Sequence, residues 1–223
     1  MDLTPVAATD PRIEDLIVEA LPRDLLLAVE DALDVGAKRA FLGSAGMNAG
    51  HRASALGHLR HFHMNETFAD ALAAAGANPS KVRGNQLVIG RMGMFNIGRL
   101  NITKGPWYHA RRSKKRLDLC RINRDIEQLI QPSVFEPAGP VTSATLLFVA
   151  VFSGSLTHQP EHPISIDVAV PDSELREWLF TEPLSAFVRR YDVATIQPDN
   201  VQPVLKPGAK KKNSNDDDTG EKG

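Results

Sequence analysis

Apolar residues recur at helical spacing near the start of the chain. Ile13, Leu16, Ile17, Ala20 and Leu21 share one face, with Pro11 where a first helical turn accepts it. Pro22 interrupts this run. Asp24 then suits the cap of a second helix built on Leu25, Leu26, Val29, Ala32 and Leu33, with Gly36 as its expected end. Residues 43–50 are small and glycine-rich and read as a hinge, because no phosphate-loop spacing surrounds them. A helix is predicted over 51–62. The apolar stripe then changes face, from Leu56 and Leu59 to Phe68 and Leu72, which predicts a break and a further short helix capped by Asn65 and ending before Gly76.

After a loop over 79–85 the period changes. Val88, Phe95, Ile97, Leu100 and Ile102 alternate imperfectly, predicting a hairpin with Gly93 at its turn and Gly98 at a bulge. Residues 113–131 return to helical spacing through Leu119, Ile122, Ile126, Leu129 and Ile130, and Pro132 stops them. The continuous apolar run 143–152 is the best central strand. A second strand carries Ile164, Ile166, Val168 and Val170, joined to the first by a long antiparallel connection. Asp172 is placed to cap a helix packing Leu175, Trp178 and Leu179, followed after Pro183 by Leu184, Phe187 and Val188. This order of elements predicts an α+β fold: N-terminal helices and a small, mostly antiparallel sheet with helices packed on one face. One domain is expected over 1–192, with a disordered, mixed-charge tail over 193–223.

Charge sharpens this picture. Two basic side chains stand against nine acidic ones in residues 1–34, sixteen against three in 35–124, and eight against fifteen in 125–223. The resulting net charges of −7, +13 and −7 are hidden in an overall −1. Such asymmetry points to an anionic partner, or else to acidic and basic segments that pair across the fold. The longest apolar run is too short for a membrane helix, and no signal peptide is recognisable, so a cytoplasmic protein is expected. Cys120 is the only cysteine, which rules out an intrachain disulfide.

The basic middle peaks in residues 104–124, where Lys104, Arg111, Arg112, Lys114, Lys115, Arg116, Arg121 and Arg124 face a single acid, Asp118. On a helix, Lys114, Arg121 and Arg124 lie opposite the Leu119–Ile122–Ile126 stripe. Cations held along one face are what phosphate recognition requires, and Trp107 and Tyr108 are placed to stack on bases. Arg91 and Arg99 stand on the hairpin, and Arg52 and Arg60 on the preceding helices are further candidates to extend the patch. No zinc finger, RNP1 motif, GXXG clamp or helix-turn-helix accompanies it.

Other residues offer rival chemistry. His51, His58, His61 and His63 crowd together, and His58 and His61 are one turn apart, but a metal site needs further ligands and no H-E-x-x-H is present. His158, Glu161 and His162 form a second group, in a segment made extended by Pro160. A metal-dependent nuclease would need clustered carboxylates. Glu66, Asp70, Asp118 and Asp167 are the candidates, with Asp118 and Asp167 best placed to converge. Cys120 has arginine neighbours that favour a thiolate, yet its position reads as a buried structural thiol. Ser153 and Ser155 lack a G-x-S-x-G setting. The function expected is therefore a non-catalytic nucleic-acid-binding protein with no cofactor or metal, contacting phosphates through the central basic helix. The alternatives are a metal-dependent nuclease or other hydrolase, and a protein-interaction module with self-paired segments.

Overall fold

A computed structural model of the chain describes residues 12–103, 108–130, 141–153 and 160–194. Lys104, Trp107, Ser155, His158 and the expected tail from 195 onward lie outside the described residues. Helices α1 (Ile13–Ala20), α2 (Arg23–Ser44) and α3 (Ala49–Ala74) open the fold. Residues 45–48 turn the chain between α2 and α3, and the Asn48 side chain caps α3 by accepting from Gly50 N at 3.0 Å. Strands β1 (Gly90–Met92) and β2 (Phe95–Thr103) follow, then a 3-10 turn, α4 (Lys114–Cys120), a second 3-10 turn at Arg121–Asn123 and α5 (Arg124–Ile130). Strands β3 (Ala144–Phe152), β4 (Ser165–Pro171) and β5 (Trp178–Pro183) precede the short helices α6 (Leu184–Phe187) and α7 (Arg190–Ala194).

The sheet order is β1-β2-β3-β4-β5. Only β2 and β3 run parallel, in unbroken register from Phe95 opposite Ala144 to Thr103 opposite Phe152. The other three pairings are antiparallel. The α+β class, the N-terminal helices and the largely antiparallel sheet are as the pattern predicts.

All nine residues of β3 are buried, so both of its faces are covered. Ala144, Leu146, Phe148, Ala150 and Phe152 point toward the α1–α3 layer, where Phe68 meets Phe148 edge-on with centroids 6.3 Å apart. Leu147, Val149 and Val151 point the other way, into a smaller core with Leu100, Ala110, Cys120, Ala169 and Leu175. Burying each large side chain of this kind contributes roughly 1.5–3 kcal/mol. Residues 108–130 thus help to cover the face that the N-terminal helices leave open.

Five local expectations are corrected. Asp24 does not cap α2, which begins at Arg23 after Pro22 and carries Asp24 in its first turn. Gly36 does not end α2. It lies mid-helix at the crossing with α3, where an added Cβ would come within 2.7 Å of Met64 Cα and Thr67 Oγ1. Asn65 does not cap a new helix, because α3 runs through it. The apolar stripe changes face there because the second half of α3 is wedged between two partners: Thr67 Oγ1 donates to Ala32 O of α2 at 2.6 Å, while Phe68 packs on β3. Gly98 forms no bulge. It allows close approach, since a Cβ there would stand 3.1 Å from Leu147 Cδ2. Asp172 caps a turn, not a helix: its Oδ1 accepts from Arg176 N at 2.6 Å and Glu177 N at 3.2 Å, and Trp178 and Leu179 enter β5. The expected turn at Gly93 is present, with φ +53°.

Candidate nucleic-acid interface

The basic segment is fixed to the sheet by polar side chains beneath it. Asn123 is fully buried, and its Nδ2 donates to Thr145 O at 3.0 Å and Pro171 O at 2.7 Å while its Oδ1 accepts from Thr145 N. Thr145 Oγ1 donates in turn to Leu119 O at 2.7 Å. The start of α4 is capped by Ser113, whose Oγ accepts from Arg116 N. With Cys120, Asn123 and Ile126 facing inward, Lys114, Arg121 and Arg124 are forced outward, as the helical spacing predicts.

Arg111, Arg121 and Arg124 line one open cleft of about 800 Å³, together with Leu117, Glu127, Gln128, Ser173 and Glu174. Its two acids are engaged: Glu127 accepts from Ser173 N at 3.2 Å, and Glu174 pairs with Arg176 at 2.6 Å. Arg121 pairs with Asp118 at 2.8 Å. Arg111, Arg112, Lys114, Lys115 and Arg124 are exposed and make no ion pair among the described residues.

The acidic helices do not cover this face. Among the described residues, the ion pairs of the acids on α1 and α2 run to Arg12 and to His162, Asp34 meeting the latter at 2.6 Å. Lys38 on α2 reaches Glu161, and Arg23 reaches Asp192. None crosses to residues 108–130. Glu30, Asp31 and Asp34 instead line a separate cleft beside Ser165 and Ser185. There, burial and the two neighbouring acids raise the Glu30 pKa.

The remaining predicted cations part company with this cleft. Arg91 is exposed at the β1 edge, with Nε donating to Asn96 Oδ1 at 3.4 Å. Arg52 lies over the Phe41 ring, and Arg60 is buried over the Phe152 ring, 3.9 Å from its centroid, donating to Pro160 O. Arg99 is buried beneath α3, not displayed on the hairpin. Its Nε donates to Asn65 Oδ1 at 3.0 Å, one terminal nitrogen to Asn101 Oδ1 at 3.0 Å, and the other to His61 O at 2.6 Å. Burial and the neighbouring Arg116 lower its pKa to about 9. Arg116 is half-buried, and burial lowers its pKa as well. Sequence spacing marked these two as cations but had no means of showing that Asn65 and Asn101 were the setting of Arg99.

The groups suited to rival chemistry stay apart. Asp118 faces an apolar cleft with Ile89, Leu119 and Ile122, whereas Asp167 sits on β4, with Oδ1 buried without a partner and its pKa raised by burial. His58 Nδ1 lies 2.9 Å from Ser54 O, and His63 lies 3.4 Å from Glu66. His162 lies between Asp34 and Glu161. Among the described residues no three histidine, cysteine or acidic side chains gather as a metal site. Cys120 is fully buried, and burial followed by Asp172 pushes its thiol up to about 12. No described helix is long and apolar enough to cross a membrane. The chain matches no protein-family model, no curated protein and no solved structure with which it was compared.

Proposed function

We propose that the protein binds nucleic acid without catalysing its turnover, through the surface formed by Arg111, Arg112, Lys114, Lys115, Arg121 and Arg124. The observation that carries this reading is the convergence of Arg111, Arg121 and Arg124 on one open cleft. Five exposed cations in this segment lack an ion pair among the described residues. Cations without partners are free to neutralise backbone phosphates, and the release of the counterions condensed on the nucleic acid then favours binding. The rigid support from Asn123 and Thr145 reduces the ordering that binding would otherwise require. We assign this role to the cytoplasm, where a single buried thiol remains reduced.

The test is titration of fluorescently labelled duplex and single-stranded oligonucleotides with the wild-type protein and a variant carrying Arg111→Glu, Arg112→Glu, Lys114→Glu and Lys115→Glu. All four side chains are exposed or at a helix start, so the variant keeps the fold. Binding reduced at least a hundredfold supports the reading. Equal affinity in the two proteins rejects it.

A further inference from the structure

The segment leading into β1 and the helical segment around α4 form two walls that meet over the sheet. Ile89 and Leu119, one from each wall, lie 3.4 and 3.6 Å from the Cβ position of Gly98 on β2. Both line the apolar cleft that Asp118 faces, whose volume is about 440 Å³. Small-ligand sites span about 300–1,000 Å³. Leu87, Ile89, Leu119 and Ile122 are only half-buried there, so four aliphatic side chains of one cleft remain open to water. The walls are fixed before anything enters. Ser80 Oγ accepts from Ile89 N at 3.0 Å, Ser80 N donates to Ile89 O at 2.8 Å, and Asn65 Nδ2 on α3 donates to Gln86 O at 3.0 Å. The opposite wall is held through Leu119 O, which accepts from Thr145 Oγ1.

This cleft is continuous with the cationic surface. Lys115 lines it directly. Asp118 Oδ1 pairs at 2.8 Å with Arg121, which lines the larger cleft together with Arg111 and Arg124. One ion pair thus joins an aliphatic pocket to a group of cations. The side chains of Gln86 and Lys115 are exposed at the cleft and make no hydrogen bond or ion pair among the described residues.

We infer that this cleft receives one unpaired nucleobase whose flanking phosphates meet Lys115 and Arg121, so that the surface takes single strands in preference to duplex. The inference rests on the reading of that surface as a nucleic-acid interface. A base is a flat ring with apolar faces and a polar edge, tied to phosphate on both sides. Aliphatic walls suit its faces, and Gln86 and Asp118 supply polar groups for its edge. A base held in a duplex would first have to be unpaired and unstacked. No aromatic ring lines the cleft among the described residues, so burial of the ring between aliphatic side chains supplies the attraction.

The test compares a DNA single strand of about ten nucleotides with an abasic strand of the same length and charge, titrated at constant salt into the full chain. Wild type should bind the base-bearing strand about tenfold more tightly. Ile122→Asn, which makes one wall polar without changing charge, should bring the two strands to equal affinity. Equal affinity in wild type, or an undiminished preference in Ile122→Asn, overturns the base site while leaving the phosphate surface standing. Failure of both strands to bind rejects the reading of the surface, and the base site with it. Should Ile122→Asn not fold, methyl resonances of wild-type Ile89, Leu119 and Ile122 decide. They must move with the base-bearing strand and stay in place with the abasic strand and with duplex. Methyls that move equally with all three, or with none, count against the site. Self-association of the free protein that Ile122→Asn abolishes would assign the cleft to a second copy of the chain and overturn it too.

Discussion

Gly36 and Gly57 both interrupt long helices, yet their surroundings give them opposite roles. A Cβ at Gly36 collides with the backbone of α3, whereas one at Gly57 meets nothing within 4 Å. Gly36→Ala is expected to destabilise by about 1–2 kcal/mol, overpacking outweighing the gain in helix propensity. Gly57→Ala is expected to stabilise by about 0.5–1 kcal/mol. Urea unfolding of both variants checks the pair. The sequence shows two helix glycines and cannot rank them, since the difference lies in a neighbour some thirty residues along the chain. His61 is a second case. Burial, then Arg99 and Arg116, lower its pKa below the ordinary 6.5. The native state therefore takes up this proton at lower pH than the unfolded chain, so stability falls as pH drops through about 6.5 toward the folded value. Above 6.5 both states are neutral and the effect is absent. Glu30 and Asp167, raised by burial, act in the opposite sense at lower pH. The difference between wild type and His61→Gln is the clean readout: the wild type should lose more stability between pH 7.5 and 5.5.

At the scale of elements, periodicity located most of the structure. The central strand, the second strand and the hairpin turn stand close to where spacing put them, and the basic helix does so as two short helices divided by a 3-10 turn at Arg121–Asn123. The misplacements share one cause, which is that tertiary packing outranked a local signal. Gly36 and Asn65 have the chemistry of helix ends, but the α2–α3 crossing and the buried Arg99 use them inside helices. Asp172 caps as its side chain prescribes, only over a turn, because the following residues gain more by pairing with β4. The candidate interface was legible as a cationic helix with an apolar underside. Its anchor was not, since Asn123 has no sequence signature. Asn123→Ala should cost about 2–4 kcal/mol, because it leaves Thr145 N and two carbonyls unsatisfied in the core. The unfolding midpoint in urea measures this.

Across the whole molecule the charge pattern becomes a layout. The acids of α1 and α2 lie on the helical layer, and those that pair do so with Arg12 and with His162 on the connection to β4. The basic segment lies with the smaller core on the other face of the sheet, its exposed cations largely unbalanced by described neighbours. The sheet thus stands between the acids of α1 and α2 and the exposed cations of α4 and α5, which sequence alone left free to pair. Arg99 departs from this layout, being buried beneath α3. The central claim is that the outward cations meet a phosphate backbone, and the salt dependence of oligonucleotide binding tests it most directly. For duplex DNA the slope of log Kobs against log salt is about −0.9 per phosphate neutralised. Replacing Arg111, Arg121 and Arg124 together by glutamine should make that slope shallower by about 2–3 units and weaken binding equally for all sequences. An unchanged slope, or wild-type binding that does not respond to salt, would contradict the account.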